Sequence, residues 1–229
     1  MSEKKGFLPS IFQSAINCVM RVVFRLLYHS MSWCYDLVAS IVSVGRWKDW
    51  VLEATKLITG PHVLEVGFGP GHLQEQLATS GLVVFGLDES RQMSRRAAQR
   101  LVEKQLPPRL TRGLAQSLPF PGQFFNSVVA TFPTLYIVDP ETLAEIYRVL
   151  KPGGRLIVLM ASWLNGNSMI ERALAFLLRF TGQVPDDKQE LGRFIEPYLE
   201  AGFQAKLRFV NLPGSRLLFI IASKRLWLS

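Results

Sequence analysis

The stretch Val63-Leu64-Glu65-Val66-Gly67-Phe68-Gly69-Pro70-Gly71 decides the fold of this chain. A mostly apolar run is followed by three glycines at alternate positions, which predicts a buried strand that ends in a tight turn. Glycine also lets another molecule approach the backbone closely. In open α/β sheets, ligands bind beyond the carboxyl ends of the strands, where the strand order reverses. The stretch therefore predicts a ligand site directly after the first strand.

An acidic residue follows at a distance that indicates the kind of ligand. Asp88 ends a second apolar run, 83–88, and lies 21 residues after Gly67. A carboxylate about 20 residues beyond the glycines accepts hydrogen bonds from ribose hydroxyls. Dinucleotide-binding proteins share this arrangement but have the spacing GxGxxG, whereas this chain has GxGxG followed by His72. A nucleoside-bearing ligand other than a dinucleotide is therefore favoured.

The rest of the chain alternates short β-type runs with helical patterns, which predicts a mostly parallel sheet covered by helices. The predicted strands are 62–67, 83–88, 109–113, 126–132, 155–160, 206–211 and 216–222, and the predicted helices are 71–80, 90–104, 140–150, 168–181 and 187–202. Asp139 before Pro140 predicts a helix N-cap. The turn-rich 212–215 predicts an antiparallel hairpin at the end of the sheet.

The composition limits the classes of protein to consider. A chain of 229 residues holds one main core and an appendage. Cys18 and Cys34 are its only cysteines, so we predict no disulfide framework, no metal site and a location in the cytoplasm. The net charge of +8 favours an anionic partner, and the mean hydropathy of +0.18 suggests that some apolar surface meets lipid or another partner. No membrane-spanning helix is predicted.

Two further segments carry a family resemblance. Leu150-Lys151-Pro152-Gly153-Gly154-Arg155-Leu156 resembles an "LKPGG" motif, and 113–120, ending in Leu118-Pro119-Phe120, resembles "GDAxxLPF". Together with the glycine stretch, and in this order, they resemble class I S-adenosylmethionine-dependent methyltransferases of type 11, similar to the ubiquinone/menaquinone and phospholipid methyltransferase group. The resemblance covers about residues 63–160. It implies an α/β fold with a seven-stranded, mostly parallel Rossmann-like sheet, helices on both faces, and S-adenosyl-L-methionine as cofactor.

The same resemblance implies a set of cofactor-binding residues. Glu65 would hold the amino group of the cofactor or the loop itself, Asp88 the ribose, and Ser90 would cap the next helix. Leu114 stands where the family has an acid, so Gln116 becomes the candidate for the adenine amino group. Met93 packs near the adenine or simply fills the core. The full set is Glu65, Gly67, Phe68, Gly69, Gly71, Asp88, Glu89, Met93, Ala115, Gln116 and Thr131.

A dedicated catalytic base is optional for methyl transfer, because an in-line displacement depends mainly on orientation and exclusion of water. Three residues are candidates for a catalytic role. His72 follows the glycine loop, where it acts as a base or only positions the loop. Tyr136 follows the predicted fourth strand, and Tyr35 belongs to Trp33-Cys34-Tyr35-Asp36, which resembles the "YD" of the ubiquinone and menaquinone methyltransferase group. The sequence after the fourth strand lacks the Asn/Asp-Pro-Pro-aromatic pattern of enzymes that methylate base nitrogens.

Residues 1–47 are predicted to form N-terminal amphipathic helices, and residues 48–229 the methyltransferase core, with a helical insertion at 161–187. Residues 10–29 combine a wide apolar face with a basic edge, which indicates either a helix in a membrane interface or a lid over the core. Residues 168–181 repeat this pattern. We therefore expect a hydrophobic or membrane-resident acceptor such as a lipid or quinone, and peripheral membrane contact through residues 10–29.

Three alternatives stay open at this point. Basic residues of the predicted helix 90–104 and its exit favour a nucleic-acid methyltransferase, for example of RNA; they are Arg91, Arg95, Arg96, Arg100, Lys104, Arg109 and Arg112. The sequence has no nucleic-acid recognition module, which argues against nucleic acid. A methyltransferase of another small molecule is a further alternative. A noncatalytic membrane-binding protein could also retain the fold. The sequence does not indicate an oligomeric state.

Overall fold

The computed structural model describes residues 46–164, 192 and 194–226. These residues form a seven-stranded sheet with the order β3-β2-β1-β4-β5-β7-β6. Strands β1 to β5 are parallel, and β7 pairs antiparallel with both β5 and β6. The predicted seven-stranded, mostly parallel sheet and its terminal antiparallel hairpin are thus confirmed.

The elements follow the predicted order. The strands are β1 (His62–Val66), β2 (Val83–Asp88), β3 (Leu110–Arg112), β4 (Phe125–Thr131), β5 (Leu150–Leu164), β6 (Gln204–Leu212) and β7 (Ser215–Ser223). The helices are α1 (Trp47–Thr55), α2 (His72–Thr79), α3 (Arg91–Glu103), α4 (Pro140–Val149) and α5 (Glu196–Glu200), and a 3-10 helix spans Leu135–Val138. Among the described residues, no helix has the length and apolarity to cross a membrane.

Several boundaries differ from the prediction. β5 runs to Leu164 because β7 pairs with it as far as Ser215, so residues 161–164 of the predicted insertion are in a strand. α1 begins at Trp47, one residue before the predicted start of the core at 48, and packs on the core. Phe132 leaves β4 because its φ is 48°. In the described part of the predicted helix 187–202, residue 192 and Glu196–Glu200 are helical, and 194–195 form a turn.

Some predicted features lie outside the described residues: the amphipathic helices within residues 1–45, including 10–29 and Tyr35, and the helix at 168–181.

The central strands of the sheet are buried on both faces. Along β4 and β5, neighbouring residues point to opposite faces, so Val128 and Leu156 pack on one side while Val129 and Ile157 pack on the other. The first core includes residues of α4 and α5, and the second includes residues of α1 and α2. Continuous apolar runs such as those of β4 and β5 are typical of parallel strands covered by helices.

The strand order creates a crevice beside β1. The chain passes from β1 to β2 and β3 on one side, and then returns to place β4 on the other side of β1. The carboxyl ends of β1 and β4 therefore adjoin where the strand order reverses, which is the usual ligand position in this architecture.

A side-chain hydrogen bond joins helix α1 to strand β7 of the sheet. The indole of Trp50 is 3% exposed, and its Nε1 donates a hydrogen bond to Ser215 Oγ in β7 at 3.0 Å. The same ring lies 6.0 Å from that of Phe132, the residue directly after β4. Trp50 thus connects the amino-terminal helix with both the outer hairpin and the segment beside the crevice.

We predict that Ser215→Ala lowers the free energy of unfolding by about 1–3 kcal/mol, because the buried indole N–H of Trp50 loses its acceptor. Urea denaturation measures this. Ser80→Ala, which removes an exposed hydroxyl bonded to Gln76 O, is the matched control and should change stability by less than about 0.5 kcal/mol. Equal effects of the two substitutions would contradict a structural role for the Trp50–Ser215 bond.

Candidate functional site

The site is built on the loop that joins β1 to α2. Gly67, Gly69 and Gly71 have φ values of 74°, 52° and 83°, in the left-handed region that favours glycine. The loop closes tightly, because Gly67 N–H donates to Leu87 O at 2.7 Å and Gly71 N–H donates to Phe68 O at 3.0 Å. The glycine-rich turn predicted from the sequence is therefore present.

The three glycines serve different purposes. A Cβ at Gly67 would stand 2.6 Å from Tyr136 Oη, and a Cβ at Gly71 would stand 2.7 Å from Ala97 Cβ. These two positions are glycine because the protein itself packs against them. A Cβ at Gly69 would meet no atom within 4 Å. Gly69 is thus the loop glycine that has open space where a side chain would stand.

Asp88 ends β2 beneath this loop and is 3% exposed. Its Oδ2 accepts a hydrogen bond from Gly69 N–H at 2.9 Å, and its Oδ1 accepts one from Ser90 N–H at 2.8 Å. Burial raises the pKa of Asp88, although these two hydrogen bonds act against the rise. Each carboxylate oxygen has a second lone pair. Asp88 therefore holds the loop and keeps acceptor capacity for a ligand hydroxyl.

Glu65 lies deeper, and its side chain is 2% exposed. Its Oε2 accepts a hydrogen bond from Gln74 Nε2 at 2.8 Å, and the same nitrogen is 3.2 Å from Phe85 O. Burial raises the pKa of Glu65 well above its usual value, the bond from Gln74 lowers it, and the charge of Asp88 raises it further. Glu65 thus joins the end of β1 to α2, the two elements that flank the glycine loop, and both roles predicted for it stay predictions.

Arg100 is a contributor that sequence reasoning missed. It is one of the basic residues of the predicted helix 90–104, and its Nε donates to Pro70 O in the glycine loop at 3.0 Å. Its Nη1 lies 3.4 Å from Glu75 Oε2 in α2. Sequence spacing carries no signal of this contact, because 30 residues separate the partners.

The segment after β4 crosses over to the end of β1. Phe132 has a φ of 48°, a conformation rare for residues other than glycine. The 3-10 helix follows, and Tyr136 Oη donates to Val66 O at 3.0 Å. Strain at a bulky residue beside a candidate site is typical of positions that function constrains. Tyr136, predicted as a catalytic candidate, thus lies against the glycine loop.

The segment 113–120 lies on the other side of the crevice and is tied to α4. Gln116 Nε2 donates to Asp139 Oδ2 at 2.8 Å. A carboxylate only accepts hydrogen bonds, so the amide nitrogen of Gln116 must face Asp139, and its carbonyl oxygen faces away. Asp139 also caps α4, as predicted, by accepting from Glu141 N–H at 3.1 Å. The amide of Gln116 therefore has a defined orientation.

A second tie fixes the end of that segment. Glu145 Oε2 accepts from Leu118 N–H at 2.7 Å, and Arg148 donates to Leu118 O at 2.9 Å and to Phe120 O at 2.8 Å. The hydrogen bond from Arg148 lowers the pKa of Glu145. The Leu118-Pro119-Phe120 motif is thus anchored by a pair of charged residues on α4.

The remaining predicted residues are distributed around the loop. Ser90 caps α3 by accepting from Met93 N–H at 3.3 Å, as predicted. Met93 is 1% exposed, which agrees with the alternative that it fills the core. Glu89 lines a cavity of about 350 Å³ together with Arg112, Gly113 and Leu114.

Three other residues of the predicted set have intermediate or low exposure. His72 begins α2 and is half-buried, as is Thr131 at the end of β4. Ala115 is buried. Within the described ranges, no three His, Cys, Asp or Glu side chains come together as possible metal ligands.

The raised pKa of Glu65 leads to a prediction about stability and pH. In the folded chain burial favours the protonated carboxyl, so its contribution to stability is present below the usual pKa of 4.5 and is lost as pH rises through the raised value. Glu65→Gln stays neutral, so its free energy of unfolding should exceed that of the wild type increasingly above pH 4.5. The gain is about 1.4 kcal/mol for each unit by which the pKa is raised.

Urea denaturation at a series of pH values measures this difference. Any penalty from burying the new amide is the same at every pH, so the change with pH is the diagnostic quantity. Glu103→Gln, at an exposed position of α3, is the control. A constant offset between Glu65→Gln and the wild type would show that Glu65 is not held protonated by burial.

Comparison with known proteins places this site in a family. A model of the methyltransferase domain matches residues 64–158. The chain is 36% identical over 148 residues to demethylmenaquinone methyltransferase of Symbiobacterium thermophilum, covering 60% of this chain and 59% of the relative. It is 34% identical over 173 residues to the ubiquinone/menaquinone biosynthesis C-methyltransferase UbiE of Cellvibrio japonicus, covering 69% and 67%. The chain thus spans about three fifths to two thirds of these relatives.

A solved structure supports the fold. Phosphoethanolamine N-methyltransferase 2 of Haemonchus contortus, in complex with phosphomonomethylethanolamine and S-adenosylhomocysteine, superimposes with a TM-score of 0.56 at 19% identity. The match covers 79% of this chain and 53% of that protein. With the predicted motifs, the glycine loop and Asp88 in place, the chain belongs to the class I S-adenosylmethionine-dependent methyltransferases, in the ubiquinone/menaquinone group.

Proposed function

We propose that this chain transfers the methyl group of S-adenosylmethionine to a small hydrophobic acceptor of the quinone type. The observation that carries the proposal is the open space that a Cβ at Gly69 would enter, beside the buried carboxylate of Asp88 that accepts the Gly69 N–H. The relatives named for methylation of demethylmenaquinone and of ubiquinone and menaquinone precursors support the acceptor class. Membrane contact through residues 10–29 belongs to the same proposal, and its support is the apolar face and basic edge of that stretch.

The residues at the crevice fit the cofactor. Gly69 leaves space where any other residue would place a Cβ, and Asp88 keeps lone pairs for ribose hydroxyls. The carbonyl oxygen of Gln116, turned away from Asp139, is an acceptor suited to an amino group such as that of adenine. Leu114, where the family has an acid, is 57% exposed and provides no such acceptor.

When bound, S-adenosylmethionine supplies an electrophilic methyl group. The task of the chain is then to orient the acceptor and exclude water, since orientation alone contributes much of the rate in such a displacement. The segment from Phe132 to Asp139 is suited to this task, because Tyr136 joins it to the end of β1 and Asp139 joins it to Gln116.

Tyr136 has a defined role in this scheme. Its hydroxyl donates to Val66 O and so holds the segment after β4 against the end of β1. We therefore assign Tyr136 the positioning of this segment beside the proposed acceptor rather than a proton transfer.

We predict that Gly69→Ala abolishes or greatly weakens binding of S-adenosylhomocysteine in calorimetry, because a methyl group fills the space that the cofactor requires. Gly81→Ala is the matched control, since Gly81 also has a positive φ, 81°, and a Cβ there would also meet nothing within 4 Å. Both substitutions should cost about 1–3 kcal/mol of stability through backbone strain. Unchanged affinity in folded Gly69→Ala would contradict the placement of the cofactor at the loop.

The acceptor is tested by incubating the full chain with labelled S-adenosylmethionine and a membrane extract, followed by separation of quinones, other lipids, RNA and protein. We expect label in the isoprenoid quinone fraction and none with Gly69→Ala. A purified demethylated quinone with an isoprenoid tail should then accept label by itself. Label confined to RNA or protein would contradict the proposed acceptor, and no label together with no affinity for S-adenosylhomocysteine would contradict the proposed activity.

A further inference from the structure

The glycine loop is supported from the side by helix α3. Gly69 N–H donates to one carboxylate oxygen of Asp88, and the other oxygen accepts from the N–H of Ser90, which caps α3. Further along the helix, Ala97 lies against Gly71, where a Cβ would stand 2.7 Å from that of Ala97. The loop after β1 therefore rests on the helix that follows β2.

Arg100 supplies the contact to the residue between these two glycines. It lies three positions after Ala97, so the two side chains share one face of α3. Its Nε donates to Pro70 O at 3.0 Å, and its Nη1 lies 3.4 Å from Glu75 Oε2 in α2. The N–H of Glu75 in turn donates to Gly71 O at 3.0 Å. Arg100 thus contacts both the loop and the first turn of the helix after it.

The bond to Pro70 O holds one end of a rigid group. The peptide that links Pro70 to Gly71 is planar, so its C=O and its N–H turn together. Arg100 donates to the C=O, and Phe68 O accepts the N–H at 3.0 Å. Glycine adopts positive and negative φ with similar ease, so sterics at Gly71 alone do not fix the plane. The two hydrogen bonds therefore set the orientation of this peptide.

This orientation controls the position of Gly69. The bond from Gly71 N–H to Phe68 O closes a four-residue turn, and Gly69 is its second residue, with a φ of 52°. Rotation of the peptide between Pro70 and Gly71 would open the turn and let Gly69 move relative to Asp88. The open space beside Gly69 would then change shape.

We propose that Arg100 is a positioning residue for the cofactor. By holding Pro70 O, it keeps the glycine loop in the form that binds S-adenosylmethionine, and it acts through the loop rather than by touching the cofactor. The proposal rests on the placement of the cofactor at this loop, as the proposed function does. It does not depend on the acceptor, because the loop serves the methyl donor whichever molecule receives the methyl group.

A role restricted to joining α2 and α3 is the alternative. That role would belong to the ion pair of Arg100 with Glu75, whose side chains are 30% and 27% exposed. Partly exposed ion pairs contribute little to stability. The bond from Nε to Pro70 O is shorter than the ion pair, and its acceptor belongs to the loop itself. The geometry therefore favours the loop as the group that Arg100 holds.

The test is calorimetric titration of the full chain with S-adenosylhomocysteine. Arg100→Met retains an apolar stem but loses all donors, and its affinity should fall by about five- to tenfold, the effect of one hydrogen bond. Glu75→Gln leaves the bond to Pro70 O in place and should change affinity by less than about twofold. Arg95→Met, at an exposed position of α3, is the matched control for charge and should also have little effect. The ligand has no net charge at neutral pH, which limits any effect of charge alone.

Amide hydrogen exchange without ligand gives a second measurement. If Arg100 holds the peptide, Gly71 N–H should exchange faster in Arg100→Met, because the turn that it closes opens more often. Its exchange in Arg95→Met should equal that of the wild type. Equal exchange in all three proteins would overturn the proposal, since the peptide would then keep its orientation without Arg100.

The binding results separate this proposal from the proposed function. Unchanged affinity in folded Arg100→Met would overturn the positioning role and leave the proposed function intact. Equal losses in Arg100→Met and Glu75→Gln would also overturn it, because the ion pair between the helices would then be responsible. No binding by the wild type would overturn both. If Arg100→Met does not fold, Arg100→Lys takes its place, because it keeps a charge beside Glu75 without the planar donors, and the same loss is expected.

Discussion

The hydrogen bonds from Gly69 and Ser90 to the Asp88 carboxylate are the constraint on which the site depends. Through them one side chain fixes the glycine loop, the end of β2 and the start of α3. Burying a carboxylate is unfavourable unless it is hydrogen-bonded, and the raised pKa of Asp88 shows that burial outweighs the two bonds. The loop therefore supplies amide donors that the carboxylate needs, and the carboxylate supplies the acceptor that orders the loop.

The other contacts of the crevice extend this arrangement outward. Beneath the loop, Gln74 connects Glu65 with β2, and outside it Arg100 holds Pro70. Across the top, the segment after β4 touches the end of β1 through Tyr136 and the segment 113–120 through Asp139 and Gln116. The glycine loop, the segment after β4 and the segment 113–120, which surround the crevice, are thus connected by side-chain hydrogen bonds. These bonds give the site a defined shape before any ligand binds.

The sequence predicted those features that depend on local patterns. The alternation of strands and helices, the glycine turn, and the caps at Ser90 and Asp139 all follow from residues close together in the chain. Contacts between distant residues were not predictable, such as Arg100 with Pro70 or Gln116 with Asp139. The predicted ends of several strands and helices differ from the structure for the same reason.

The extension of β5 illustrates this limit. Its length is set by pairing with β7, more than fifty residues further along the chain, and a local pattern carries no information about such a partner. The left-handed conformation of Phe132 is likewise imposed by its surroundings, because its N–H donates to Leu159 O while its ring packs near Trp50. Sequence motifs therefore describe the glycine loop and its acid well, because each depends on a short stretch of chain. The segments after β4 and at 113–120, which the proposed acceptor would meet, are held together by contacts between distant residues, and no motif describes such contacts.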